Sequence, residues 1–103
     1  MVPVDETPRW TERFVLFYFS SGDRARVPEA FPRHHEYTLA FISRRPGELL
    51  LTGPFADPVD GQPGAMNVFA TREAAEEFAR ADPFVTEGLV ASWTVRTWLT
   101  GAS

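Results

Sequence analysis

Apolar side chains between residues 13 and 99 follow two periods, one of strands and one of helices, and together they predict six elements. Arg13 to Ser20 is rich in aromatic and β-branched residues and runs into Ser21-Gly22-Asp23, the pattern of a strand that ends in a turn. Strand side chains alternate, so Phe14, Leu16 and Tyr18 point one way and Val15, Phe17 and Phe19 the other, and both faces call for burial. Pro28 and Pro32 suit the first turn of a helix, where a missing N–H costs nothing. Along that helix His35, Leu39 and Ile42 recur at i, i+4 and i+7, beside Phe41, and predict an inward stripe that stops at Pro46-Gly47. Leu49 to Thr52 reads as a strand ending at Gly53-Pro54-Phe55, and a loop dense in turn formers leads to its hairpin partner, Ala65 to Ala70. Thr71 caps a helix whose buried face is Ala74, Ala75, Phe78 and Ala79, and Asp82-Pro83 ends it. A short turn over Phe84-Val85-Thr86-Glu87 precedes Gly88, and Leu89 to Leu99 alternates through Val90, Trp93, Val95 and Trp98 as a last strand.

The order strand, helix, strand, strand, helix, strand is the split βαβ arrangement of a ferredoxin-like α+β domain with a four-stranded antiparallel sheet. Residues 1–12 read as an N-terminal arm tied down by Trp10, residues 13–99 as the domain and residues 100–103 as a tail. Both helices then cover one face of the sheet, and the other face also carries large apolar side chains: two or three from the first strand, and from the last either Val90 and Trp98 or Trp93 and Val95, which lie on its opposite sides. An apolar face of that size marks an interface. Burying roughly 600 Å² on each partner, at about 25 cal/mol per Å², favours association by an order of 15 kcal/mol before entropic costs. The pattern therefore predicts a homodimer formed sheet on sheet.

The chain's 103 residues leave room for one core, and no apolar run reaches the roughly 20 residues of a membrane span. The start shows no secretory pattern, which points to a cytoplasmic protein with no membrane partner. Without cysteine there is no disulfide, thiolate nucleophile or sulfur-ligated metal. A net charge of −4 argues against nucleic acid as a partner.

Gly47-Glu-Leu-Leu-Leu-Thr-Gly-Pro54 and Ala81-Asp-Pro-Phe-Val-Thr-Glu-Gly-Leu89, around an acidic, alanine-rich helix, resemble the YCII-related domain family over roughly residues 13 to 98. The resemblance implies a dimeric α+β barrel and a site centred on a histidine of the first helix and the aspartate of the Asp-Pro-Phe motif. Asp82 falls on that aspartate and Gly53-Pro54 on the family's Gly-Pro. Counting back from Gly47 puts the histidine position at Glu36; aligning His35 instead costs one extra residue near Arg44-Arg45-Pro46. His35 is taken as the site histidine because it shares the predicted stripe with Leu39 and Ile42, with His34 and Glu36 as the neighbouring alternatives.

A histidine beside a carboxylate suits proton transfer near neutrality, because the carboxylate fixes the tautomer and stabilises the imidazolium. The expectation is therefore a cofactor-independent enzyme in which His35 and Asp82 perform acid–base chemistry on a small polar molecule: isomerisation, elimination or hydrolytic dehalogenation. Gly53, Pro54 and Phe84 would line the pocket, and Arg33 would hold an anionic substrate. Each residue also has a plainer role. Asp82 before Pro83 has the form of an N-cap, a function one carboxylate oxygen can serve while the other orients histidine. His35 fits a hydrogen-bonded position at a helix start, Arg33 a solvated one, and Gly53-Pro54 a strand end. His34 and His35 project about 100° apart, so they do not grip a metal together, and no metal site is expected. The alternative function is a non-catalytic dimeric module that binds a small ligand or supports another protein.

Overall fold

The computed structural model describes residues 9–101; most of the expected arm and the end of the tail lie outside them. The elements run β1 (Thr11–Ser20), a single 3₁₀ turn (Arg24–Arg26), α1 (Val27–Arg44), β2 (Leu49–Pro54), β3 (Ala65–Phe69), α2 (Arg72–Ala81), α3 (Pro83–Thr86) and β4 (Val90–Thr100). The strands form one antiparallel sheet in the order β2-β3-β1-β4. This is the ferredoxin-like βαββαβ arrangement expected from the sequence. β1 begins two residues before the predicted start and β4 continues to Thr100, where the two pair. The Trp10 ring lies so close to Gly101 that a Cβ there would come within 2.6 Å of it.

Helices α1 and α2 cover the sheet face that carries Leu16, Tyr18 and Phe69. An aromatic cluster fills the space between these layers, with Phe41 packing edge-to-face on Phe78 at 5.1 Å and on Phe69 at 6.0 Å. Helix α2 behaves as its sequence predicts. Thr71 accepts from the Ala74 N–H at 3.2 Å, and Ala74, Ala75, Phe78 and Ala79 are buried. At the end of α3, Gly88 takes a φ of +81°, a left-handed conformation that glycine adopts without strain, and the chain turns there into β4.

Helix α1 is rotated from the expected stripe. Its buried residues are Ala30, Thr38 and Phe41, whereas Leu39 is 54% and Ile42 41% exposed. The phase is set by the aromatic residues. Phe41 and Tyr37 pack on Phe78, and Tyr37 also donates to the Phe78 carbonyl at 3.0 Å. The two aliphatic residues therefore face outward.

A second correction concerns β4. Ser20 pairs with Val90 and Phe19 with Ser92, so Ala91 is an extra residue and forms a bulge. The bulge brings Val90 to the helix-covered face with Trp93 and Val95, all packed on the core. From β4 the open face thus receives Ser92, Thr94, Arg96 and Trp98, so Trp98 is the one large apolar residue this strand gives it. Its apolar part is Val15 and Phe17 of β1, Met66 of β3 and Trp98 of β4, which line a shallow hollow together with Arg96 and Thr97.

Candidate functional site

The expected aspartate occupies the joint between α2 and α3. Asp82 ends α2, and its extended backbone lets Pro83 start the next helical turn. Its side chain is fully buried. A carboxylate there needs donors, and it has three. The Tyr18 hydroxyl donates to Oδ2 at 2.7 Å, the Phe84 N–H donates to Oδ1 at 3.1 Å, and a histidine Nδ1 lies 2.8 Å from Oδ1. The capping role and the histidine contact coexist, both of them through Oδ1.

That histidine is His34, not His35. With α1 in its observed phase, His34 follows Ala30 and precedes Thr38 on the inward side, and its side chain is 14% exposed. It is held on three sides. Thr38 donates from its hydroxyl to the His34 carbonyl at 2.8 Å, Phe84 stacks on the imidazole at 4.0 Å and 8°, and Asp82 faces Nδ1. With its proton on Nδ1, His34 donates to the carboxylate and leaves Nε2 for a ligand. His35 is exposed at the mouth of the same cavity and stacks on Phe31 at 5.6 Å. The expectation of His35 failed because the stripe that selected it is the outer one.

A cavity of about 310 Å³ opens beside His34, walled by Tyr18, Thr52, Gly53, Pro54, Asn67 and Phe84 among others. Gly53, Pro54 and Phe84 are thus brought together in one wall with His34. Arg33 does not. It faces away from the cavity and makes a two-pronged pair with Glu87, from Nε at 2.7 Å and Nη2 at 2.6 Å, which ties α1 to the end of α3. This contact holds the Glu87 carboxyl below its ordinary range, mainly through the Arg33 hydrogen bonds.

Sequence reasoning missed Tyr18 and the pair Thr52–Asn67. In that pair the Thr52 hydroxyl donates to Asn67 Oδ1 at 2.5 Å, and Asn67 is nearly fully buried. Both carried a signal. Tyr18 is the one hydroxyl in an otherwise apolar inward row, and a buried tyrosine needs a partner. Asn67 interrupts an apolar strand in the same way. Burial, then the charge of Asp82, push the Tyr18 phenol well above its ordinary range, so it remains a donor. Among the described residues no group of three histidine or acidic side chains is placed to hold a metal ion.

No protein-family model and no curated protein matches the chain. Among solved structures it is similar to 5-chloro-2-hydroxyhydroquinone dehydrochlorinase from Burkholderia phenoliruptrix, determined in complex with 2,5-dihydroxybenzoquinone. The two are 19% identical with a TM-score of 0.60, over 84% of this chain and 92% of that one. At that identity the likeness shows the fold.

Proposed function

We propose that this protein is a small-molecule acid–base enzyme of the YCII-related kind, with His34 as the proton-transferring group and Asp82 as its positioning partner. The observation that carries the reading is a histidine whose Nδ1 is pinned to a fully buried carboxylate and whose ring borders a cavity of ligand size. In the step envisaged, Nε2 takes a proton from a substrate O–H or C–H. The electron pair released forms a new C=O or C=C bond, and a leaving group such as chloride departs with its own pair. Asp82 stabilises the imidazolium that results, and Phe84 keeps the ring in plane. No cofactor enters this step. The dehydrochlorinase of similar fold makes elimination of chloride from a hydroxylated ring the first chemistry to test.

The proposed assembly is a homodimer through the open sheet face. Support comes from the hollow of Val15, Phe17, Met66 and Trp98 and from Leu51, which pairs with Val68 beside it and is 67% exposed.

The test is chloride release from 5-chloro-2-hydroxyhydroquinone and binding of 2,5-dihydroxybenzoquinone by the intact chain and its His34→Gln and His35→Gln variants. His34→Gln should abolish turnover and His35→Gln should leave most of it. Ligand binding without turnover, indifferent to His34, would favour the non-catalytic module.

A further inference from the structure

The His34 cavity is one half of a longer cleft. A second lobe of about 380 Å³ adjoins it, and Tyr18, Val27, Pro54, Ala65 and Phe84 wall both. The two halves differ in chemistry. The first holds the imidazole, Thr52 and Asn67. The second is closed by Phe55, Pro58, Leu89 and Val90, and its one charged group is Arg24. Val90 belongs to this wall only because the bulge in β4 turns it to the helix-covered face. Of the uncharged polar side chains there, Ser20 already accepts from the Gly22 N–H at 3.0 Å and the Tyr18 hydroxyl donates to Asp82.

Arg24 has little to hold it elsewhere. Its ion pair is with Asp60 at 4.0 Å, and Asp60 is fully exposed, a geometry that contributes almost nothing in water. The Arg24 guanidinium therefore stands at an apolar lobe, free to exchange a weak partner for a better one.

Building on the acid–base reading, we infer that the substrate is an elongated amphipathic acid. Its reacting polar end sits at His34, its aryl or branched-alkyl body in the second lobe, and its carboxylate at Arg24. An apolar wall with a single guanidinium matches that class, because the body gains by leaving water and a planar carboxylate pairs with the arginine fork. A fully polar metabolite would gain nothing from the larger half of the cleft.

Calorimetric titration of the intact protein with 4-phenylbutyrate, 4-phenylbutanol and butyrate tests the second lobe, and 2,5-dihydroxybenzoquinone tests the first. 4-Phenylbutyrate should bind about tenfold more tightly than butyrate, for its buried ring, and about fivefold more tightly than the alcohol, for its charge. Arg24→Gln, at an exposed position that leaves the fold intact, should remove the second advantage. Val90→Phe should remove the first, with neither change altering 2,5-dihydroxybenzoquinone binding. Equal affinities for the three probes, or indifference to both variants, would overturn the inference while leaving a His34-dependent quinone site in place. The converse, probe binding that follows Arg24 and Val90 with quinone binding indifferent to His34, would keep the ligand class and remove the acid–base reading.

Discussion

The hydroxyl of Tyr18 is one of three contacts of the buried carboxylate, and a double-mutant cycle with Asp82 measures it. The donor lies 2.7 Å from Oδ2, and both side chains are out of solvent. Tyr18→Phe fills the same volume, so the loss is the hydrogen bond alone, and a bond to a charged buried group contributes about 1.5 to 3 kcal/mol. A cost of about 2 kcal/mol is expected, which lowers the melting temperature by roughly 4 to 8 °C for each kcal/mol in a domain near this size. Asp82→Asn keeps Oδ1 as an acceptor for the Phe84 N–H and turns an amide N–H toward the tyrosine oxygen, which can accept it. In that background Tyr18→Phe removes only a neutral bond, worth about 1 kcal/mol. The coupling is then about 1 kcal/mol, above the additivity error of about 0.3 to 0.5 kcal/mol for independent sites. Urea unfolding followed by tryptophan fluorescence reads all four proteins, provided the denaturant slope stays constant. A Tyr18→Phe cost that is the same in both backgrounds would show that the hydroxyl does not serve the carboxylate.

Further outcomes follow from the same geometry. Phe41→Ala should cost about 3 to 5 kcal/mol and Leu39→Ala less than about 0.5 kcal/mol; a reversed order in thermal unfolding would restore the expected phase of α1. Phe17→Arg should yield monomers in sedimentation if the open sheet face joins two copies, and an unchanged sedimentation coefficient would exclude that face. Burial, followed by the charge of Asp82, raises both phenols, Tyr18 far up and Tyr37 to about 12. The folded values lie above the unfolded value of about 10, so this contribution is complete below pH 10 and is lost as the pH rises beyond it. Tyrosinate absorbance should therefore appear together with unfolding, and its appearance near pH 10 in a folded protein would contradict the burial. Nitrogen-resolved NMR of neutral His34 should place the proton on Nδ1; a proton on Nε2 would break the link to Asp82.

The sequence carried the fold because its strands and its second helix are locally unambiguous. The alternation in β1, the capped alanine face of α2 and the Asp-Pro joint each had one stable reading, and the structure follows all three. Helix α1 had two. Phe31, His35, Leu39 and Ile42 make one apolar stripe, and Ala30, His34, Tyr37, Thr38 and Phe41 make another. On a transfer scale the aliphatic stripe wins, but packing against Phe69 and Phe78 rewards the aromatic one, and that choice depends on partners far away in the chain. The bulge at Ala91 was illegible for a related reason, since period-two reasoning assumes an unbroken ladder. One residue of phase in a helix exchanged His35 for His34, and one residue of bulge moved Val90 to the other side of a sheet.

These two shifts meet in the cleft and give it its character. Thr38, one turn beyond His34, is the polar residue of the inward stripe, and its hydroxyl returns to the His34 carbonyl, so the helix pays no penalty for a threonine at that depth. Had α1 kept the aliphatic phase, Leu39 and Ile42 would be buried and His35, which shares their stripe, would turn inward in place of His34. Without His34 the observed carboxylate would lie buried on the hydrogen bonds of Tyr18 and the Phe84 N–H alone. The His34 imidazole is thus an additional donor for the buried carboxylate at the α2–α3 joint, and it lowers the cost of that burial. Folding and chemistry make the same demand on His34. Its replacement by an apolar residue should lower stability as well as activity, whereas His34→Gln, which retains a donor, separates the two.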